Sequence, residues 1–129
     1  MELSDALNIA TDQDRGRELE LVHPYTGEPT GMKLWMAGPD SDTARRAALA
    51  LSDELADMAD DQGRVTAEQR EKARLNALAK HVLRWEVSED GKPVPLNQKN
   101  VLTLLKVQWV QEQADAFAGD RRNFAPEAA

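Results

Sequence analysis

Two histidines (His23 and His81), four serines, two Arg-Arg pairs and an acidic run at Asp53, Glu54, Asp57, Asp60 and Asp61 are the groups with the means to do chemistry. Each histidine stands without a second ligand at metal spacing, so each reads as structural or simply exposed. The acidic run places carboxylates four apart on one helix face, an arrangement that can gather a divalent cation. Calcium, however, wants about six to eight oxygens wrapped by a glycine-bearing loop, and Asp60-Asp61-Gln62-Gly63 supplies too few. The run is therefore read as a solvated face. Ser4, Ser41, Ser52 and Ser88 lie in no nucleophile-elbow setting. The glycines of Pro24-Tyr25-Thr26-Gly27-Glu28-Pro29-Thr30-Gly31 are not followed directly by a helix and lack the lysine of a phosphate loop. With no cysteine, thiolate chemistry and disulfides are excluded. Arg45-Arg46 and Arg121-Arg122 read as partners for carboxylates, being far short of a basic stripe with stacking aromatics. No catalytic, cofactor-binding or metal-ligating residue is assigned, and an enzyme is not expected.

The chain's 129 residues carry a net charge of −7, which repels the phosphate backbone and argues against nucleic acid as a partner. Its N-terminal residues lack the basic-then-apolar order of a signal peptide, and no run approaches the ~18 apolar residues of a membrane span. A soluble, intracellular protein without a membrane partner is expected. Charge is unevenly spread: residues 40–61 hold seven acidic and two basic side chains, residues 64–86 six basic and three acidic. Neighbouring helices of opposite sign can pair with each other or steer a partner.

The elements that would carry these groups follow from periodicity. Residues 1–16 are polar, with Leu3, Leu7 and Ile9 as the only apolar anchors, and read as a flexible or loosely docked segment. Glu18 to Val22 and Met32 to Met36 alternate as half-buried strands, joined into a hairpin by the Pro/Gly loop. An isolated hairpin is marginal in water, so its apolar face must rest on a helix or on a neighbouring subunit's sheet. Asp40 or Ser41 caps a helix running to about Asp60, striped with Ala44, Ala47, Ala48, Leu51, Leu55, Met58 and Ala59. Thr66-Ala67-Glu68-Gln69 is a capping box that opens another helix, whose seam of Leu75, Leu78, Val82 and Trp85 would continue through Trp85. Glu89 to Pro95 is a turn, and Asn97 caps one bent helix or two short ones ending near Gly119. Phe124 is left as a lid on the core or an anchor for a partner. The fold class is α+β and mostly α-helical: an N-terminal β-hairpin followed by a bundle of three to four helices. Residues 17–125 form a single domain, and 126–129 a flexible tail.

The segment His23-Pro24-Tyr25-Thr26-Gly27, Glu28-Pro29-Thr30-Gly31, then Gly38-Pro39-Asp40-Ser41 and an arginine-rich helix start resembles tail assembly chaperones of long-tailed, siphovirus-like bacteriophages. A helix ending in tryptophan before Asp90-Gly91-Lys92-Pro93-Val94-Pro95 and Asn100, and a closing helix running into Asp120 and Asn123-Phe124, extend the likeness over roughly residues 17–125. The resemblance implies a non-enzymatic protein of the host bacterial cytoplasm. It would bind the phage tape-measure protein, a long helical apolar-rich chain, keep it soluble, and leave as the tail tube assembles. It also implies a longer frameshifted form that recruits the tail tube protein. The hairpin offers an edge for a homo-oligomer, and the seam a groove for an amphipathic client helix. Leu75, Leu78, Val82, Trp85, Trp109, Phe117 and Phe124 are the candidate packing or partner-binding residues. Two other readings compete: a structural phage component such as a head–tail connector or tail-completion protein, and a small acidic cytoplasmic regulator that masks a basic partner.

Overall fold

Alternation of charge and apolarity from Arg17 onward builds a sheet with two unlike faces. In the computed structural model, which describes residues 1–126, strands β1 (Arg17–Val22) and β2 (Pro29–Met36) pair antiparallel. A third strand, β3 (Val82–Glu86), joins the far edge of β2, giving the order β1-β2-β3. Leu19, Leu34 and Trp85 fall in one row across the strands and face the core. The neighbouring rows Glu18/Trp35/Arg84 and Glu20/Lys33/Glu86 make up the opposite face. There Lys33 Nζ lies 3.6 Å from Glu18, and the Arg84 guanidinium sits 5.3 Å from the centre of the Trp35 ring. Unlike charges set across strands, with a cation covering the one aromatic, make a face suited to water.

Helices cover the apolar face. They are α1 (Leu3–Asp14), α2 (Asp42–Met58), α3 (Ala67–Lys80), α4 (Gln98–Leu105) and α5 (Gln108–Gly119), followed by a 3₁₀ turn at Arg121–Phe124. A short hairpin, β4 (Ser88–Glu89) with β5 (Lys92–Pro93), turns through Asp90-Gly91, both at positive φ. The mixed α+β, mostly helical class with its N-terminal hairpin is therefore present. The core is Leu21, Leu34 and Met36 from the sheet against Leu75 and Leu78 of α3, Val101 and Leu105 of α4, and Val110 and Ala114 of α5. Caps set the helix starts as the sequence indicates. Ser41 Oγ accepts from Ala44 N–H, the Thr66/Gln69 capping box closes in both directions, and Asn97 accepts from Asn100 N–H. The break between α4 and α5 falls at Lys106-Val107, where the buried Gln111 amide donates to the Leu105 carbonyl at 3.2 Å.

Two elements depart from the sequence reading. The α3 helix ends at Lys80, so the seam is not one helical stripe: Leu75 and Leu78 lie on α3, Val82 and Trp85 on β3. Met36 pairs with Val82 and Trp35 with Arg84, which leaves Leu83 as an extra residue. The bulge turns Val82 and Trp85 to the same side at a spacing of three and so imitates helical periodicity. The second departure is residues 1–16, read as flexible, where a helix of 12 residues forms. Its buried residue is Gln13, while Leu3, Leu7 and Ile9, the expected anchors, are 77%, 60% and 42% exposed. The tail placed at 126–129 lies, beyond Pro126, outside the described residues.

Trp85 is half-buried on β3, packs against the core, and donates its indole N–H to the Val94 carbonyl at 2.8 Å. Trp85→Ala removes both contacts and is expected to lower unfolding stability by about 3 kcal/mol. Trp85→Phe, which keeps the ring and loses the bond, should lose about 1 kcal/mol; urea titration of both proteins separates the two contributions.

Candidate functional site

The polar residues at the end of α1 tie three distant parts of the chain together. Gln13, 2% exposed, donates from Nε2 to Asp40 Oδ2 at 2.9 Å and accepts from Asp40 N–H through Oε1 at 2.6 Å. Its backbone carbonyl takes the Gly38 N–H at 3.2 Å. Arg121, from the 3₁₀ turn, grips the same Asp40 carboxylate with two nitrogens at 2.6 and 2.8 Å. Next along α1, Asp14 accepts from the N–H groups of Asp42 and Thr43 and from the Thr43 hydroxyl, placing a carboxylate at the N-terminus of α2. Arg17 completes the junction, donating to Asp12 at 2.6 Å and to the Phe124 carbonyl at 3.4 Å.

These bonds set the acidity of the cluster. The Arg121 fork, then the Gln13 amide, hold the Asp40 carboxyl down at about 2, against partial burial acting the other way. Burial raises Asp14, but the hydrogen bonds from Thr43 and Asp42 outweigh it and its pKa is also lowered.

Beside this junction lies an open groove of about 750 Å³ between α1 and the C-terminal turn. Ile9 of α1 and Phe124 and Pro126 of the turn give it apolar walls, and Asp12, Asp120 and Arg122 give it a charged rim. Phe124, 2% exposed, stacks edge-on against Phe117 at 5.4 Å, so it is a lid on the core. The exposed Leu3 and Leu7 lie along the same helix as Ile9. Leu3 and Leu7, four positions apart, share one face of α1, whereas Ile9 lies about 200° further round the helix and faces the groove.

The other candidates are distributed differently. Leu75, Leu78 and Val82 are core residues at 6–7% exposure, and Trp85, Trp109 and Phe117 are partly buried against that core. The seam expected to receive a client helix is thus filled by the protein's own sheet and helices. The arginine pairs meet carboxylates: Arg45 and Arg46 share Asp42 at 2.7 and 2.9 Å, and Arg122 pairs with Asp120. In the acidic run, Glu54 accepts from Asn76 and Asp60 from the N–H groups of Gln62 and Arg64. His81 Nδ1 faces the Ala37 carbonyl at 3.2 Å. Among the described residues no three His, Asp or Glu side chains converge in a way that holds a metal, and no helix is long and apolar enough to cross a membrane. What the sequence reading missed is the α1 groove, because its signal is a buried glutamine on a polar segment. The pairing of Gln13 with the Gly38–Asp40 loop spans too many residues to leave a local pattern.

A Cβ at Gly38 would stand 2.5 Å from Gln13 Oε1, and Gln13 is buried and fully engaged. Gly38→Ala is expected to cost about 1–3 kcal/mol of stability, read by urea unfolding, and to speed amide exchange along α1 before that of the sheet. Asp40 is the second check. Its native value lies below the ordinary 3.8, so it contributes stability above pH ~4 that is lost as pH falls through about 2. In Arg121→Gln the Asp40 midpoint should move up toward 3.8, followed by carboxyl-carbon NMR, and the fall in stability between pH ~4 and about 2 should become shallower.

Compared with known protein families, with curated proteins and with solved structures, the chain matches none.

Proposed function

We propose that this protein is a non-enzymatic tail assembly chaperone of a long-tailed bacteriophage, which holds the helical tape-measure protein soluble in the host bacterial cytoplasm until the tail tube assembles. The observation that carries the reading is the open groove of about 750 Å³ beside α1, walled by Ile9, Phe124 and Pro126. A client helix lying in the groove would set its apolar residues against Ile9, Phe124 and Pro126, the helix-in-groove mode of recognition. The sequence resemblance supplies the identity of the client, and the mixed α+β fold with its leading hairpin is compatible with it.

The size of the surface suits a partner that must leave. The few apolar side chains that such a groove offers bring roughly 1.5–3 kcal/mol each when fully buried, and the costs of association consume much of that. Each contact is therefore weak, and hold on a long client comes from many copies bound along it. A growing tube can displace such copies one at a time. The reading extends to a longer frameshifted form that engages the tail tube protein. Homo-oligomer formation through the hairpin would have to use β1, since the outer edge of β2 is already paired with β3.

Co-expression with the long helical protein encoded downstream tests the proposal. The client is expected in the soluble fraction, co-purifying with this chain. Ile9→Asp, at a groove-lining residue 42% exposed, should change unfolding stability by no more than about 1 kcal/mol yet leave the client insoluble. If the wild-type chain leaves the client insoluble and is instead retained in purified particles, the structural-component reading replaces this one.

A further inference from the structure

A second surface lies at the opposite end of α5 from the groove, where the β1–β2 loop meets the first turns of that helix. Tyr25, the only tyrosine, is 93% exposed there. Its loop is nonetheless firmly built. The His23 N–H donates to the Glu28 carbonyl at 2.8 Å, and Gly27 N–H returns to the His23 carbonyl at 2.9 Å. His23 Nδ1 accepts from the N–H groups of both Tyr25 and Thr26, at 3.2 and 3.4 Å. This fixes the ring as an acceptor at Nδ1 and holds the imidazole 5.7 Å from the Tyr25 ring. Gln113 fastens the base of the loop to α5: its side-chain amide accepts from Val22 N–H and donates to the Val22 carbonyl, both at 2.9 Å.

Between this loop and α5 is a cavity of about 510 Å³, lined by Tyr25, His23, Trp109 and Glu112 among others. Its lining contains an acid and no lysine or arginine. Glu28, on the same loop, and Glu112 have no cationic side chain within ion-pair distance among the described residues. Two aromatic faces beside the Glu112 carboxylate, which accepts from the Gln108 side-chain amide at 3.1 Å, complement a cation with an apolar stem. The backbone of the loop that carries this aromatic is already ordered by its hydrogen bonds, so binding has less main-chain freedom to remove.

We propose that the hairpin tip and the start of α5 form a docking site for a protein segment presenting lysine or arginine next to an apolar residue, with Tyr25 and Trp109 flanking the cation's stem and Glu112 facing its charge. The site is independent of the chaperone reading and of the α1 groove.

The test is an ¹⁵N NMR titration of the full chain with a 14-residue Leu/Lys amphipathic helix and with its Leu/Glu counterpart. Shifts from the Leu/Lys peptide are expected to centre on Tyr25, the Trp109 indole N–H and the Gln113 side chain, and the Leu/Glu peptide should leave them unmoved. Tyr25→Ala should weaken the Leu/Lys peptide at least tenfold, Glu112→Gln about threefold, and Tyr25→Phe little. Tyr25 is almost wholly exposed, so its replacement leaves the fold intact, which unchanged ¹⁵N spectra away from the loop verify. The proposal is overturned if the shifts centre on α1 or on Asp53 and Asp57 of α2, if both peptides bind alike, or if Tyr25→Ala binds as the wild type does.

Discussion

A buried primary amide needs hydrogen-bond partners for its nitrogen and its oxygen, and Gln13 finds both in a part of the chain that would otherwise have no reason to be beside it. Its oxygen and nitrogen both go to Asp40, its backbone carbonyl to Gly38, and Asp40 in turn receives Arg121. From this one side chain follow the absence of a side chain at position 38, the direction in which α2 leaves the sheet, and the placing of the C-terminal turn. That turn brings Phe124 over Phe117 and closes the bottom of the core. Because polar bonds dock α1, its apolar residues are not needed for the attachment and remain on the surface. The groove is thus a by-product of how the helix is held.

The sheet shows the same separation of tasks. Its inner rows pack on α3, α4 and α5, whereas its outer rows match acid to base and cover Trp35 with Arg84. Strand edges are restrained too. The side chain of Gln113 stands in for a neighbouring strand at Val22, and glutamates at positions 18 and 20 discourage a further strand along β1. With the sheet's outer face and much of its edge made for water, an open groove with apolar walls remains at each end of α5. One is the α1 groove and the other the hairpin tip, and they differ in character: Ile9, Phe124 and Pro126 under a rim of both charges in the first, Tyr25 and Trp109 beside Glu112 in the second.

Much of this was legible in the residues. Alternation at Glu18–Leu21 and Met32–Met36 marked the hairpin, and Ser41, Thr66 and Asn97 marked three helix starts, because caps and strand faces are local properties. Strand β3 was hidden by its bulge: an extra residue at Leu83 gives Val82 and Trp85 the three-residue spacing of a helix, and the preceding helix makes the imitation complete. The docking of α1 was hidden for another reason. Hydrophobic patterning finds elements that are held by apolar contacts, and this one is held by Gln13 and Asp14, which look in sequence like any polar residues near a chain terminus. The candidate residues followed the same divide. Leu75, Leu78, Val82 and Phe124 were legible as packing residues, and the exposed surface was not, since nothing local reports which apolar side chains a polar anchor leaves uncovered.

The order in which the junction's members are synthesised gives it a timetable. Gln13 and Asp40 are 27 residues apart, whereas Arg121 follows Asp40 by 81. At ribosomal speeds of roughly 5–20 residues per second, the amide and the aspartate are available to each other about 4–16 s before the arginine exists. During that interval the Asp40 carboxylate lacks its counter-ion and the Phe124 lid is missing from the core. A nascent chain at this stage leaves uncovered the side of Phe117 that Phe124 later closes.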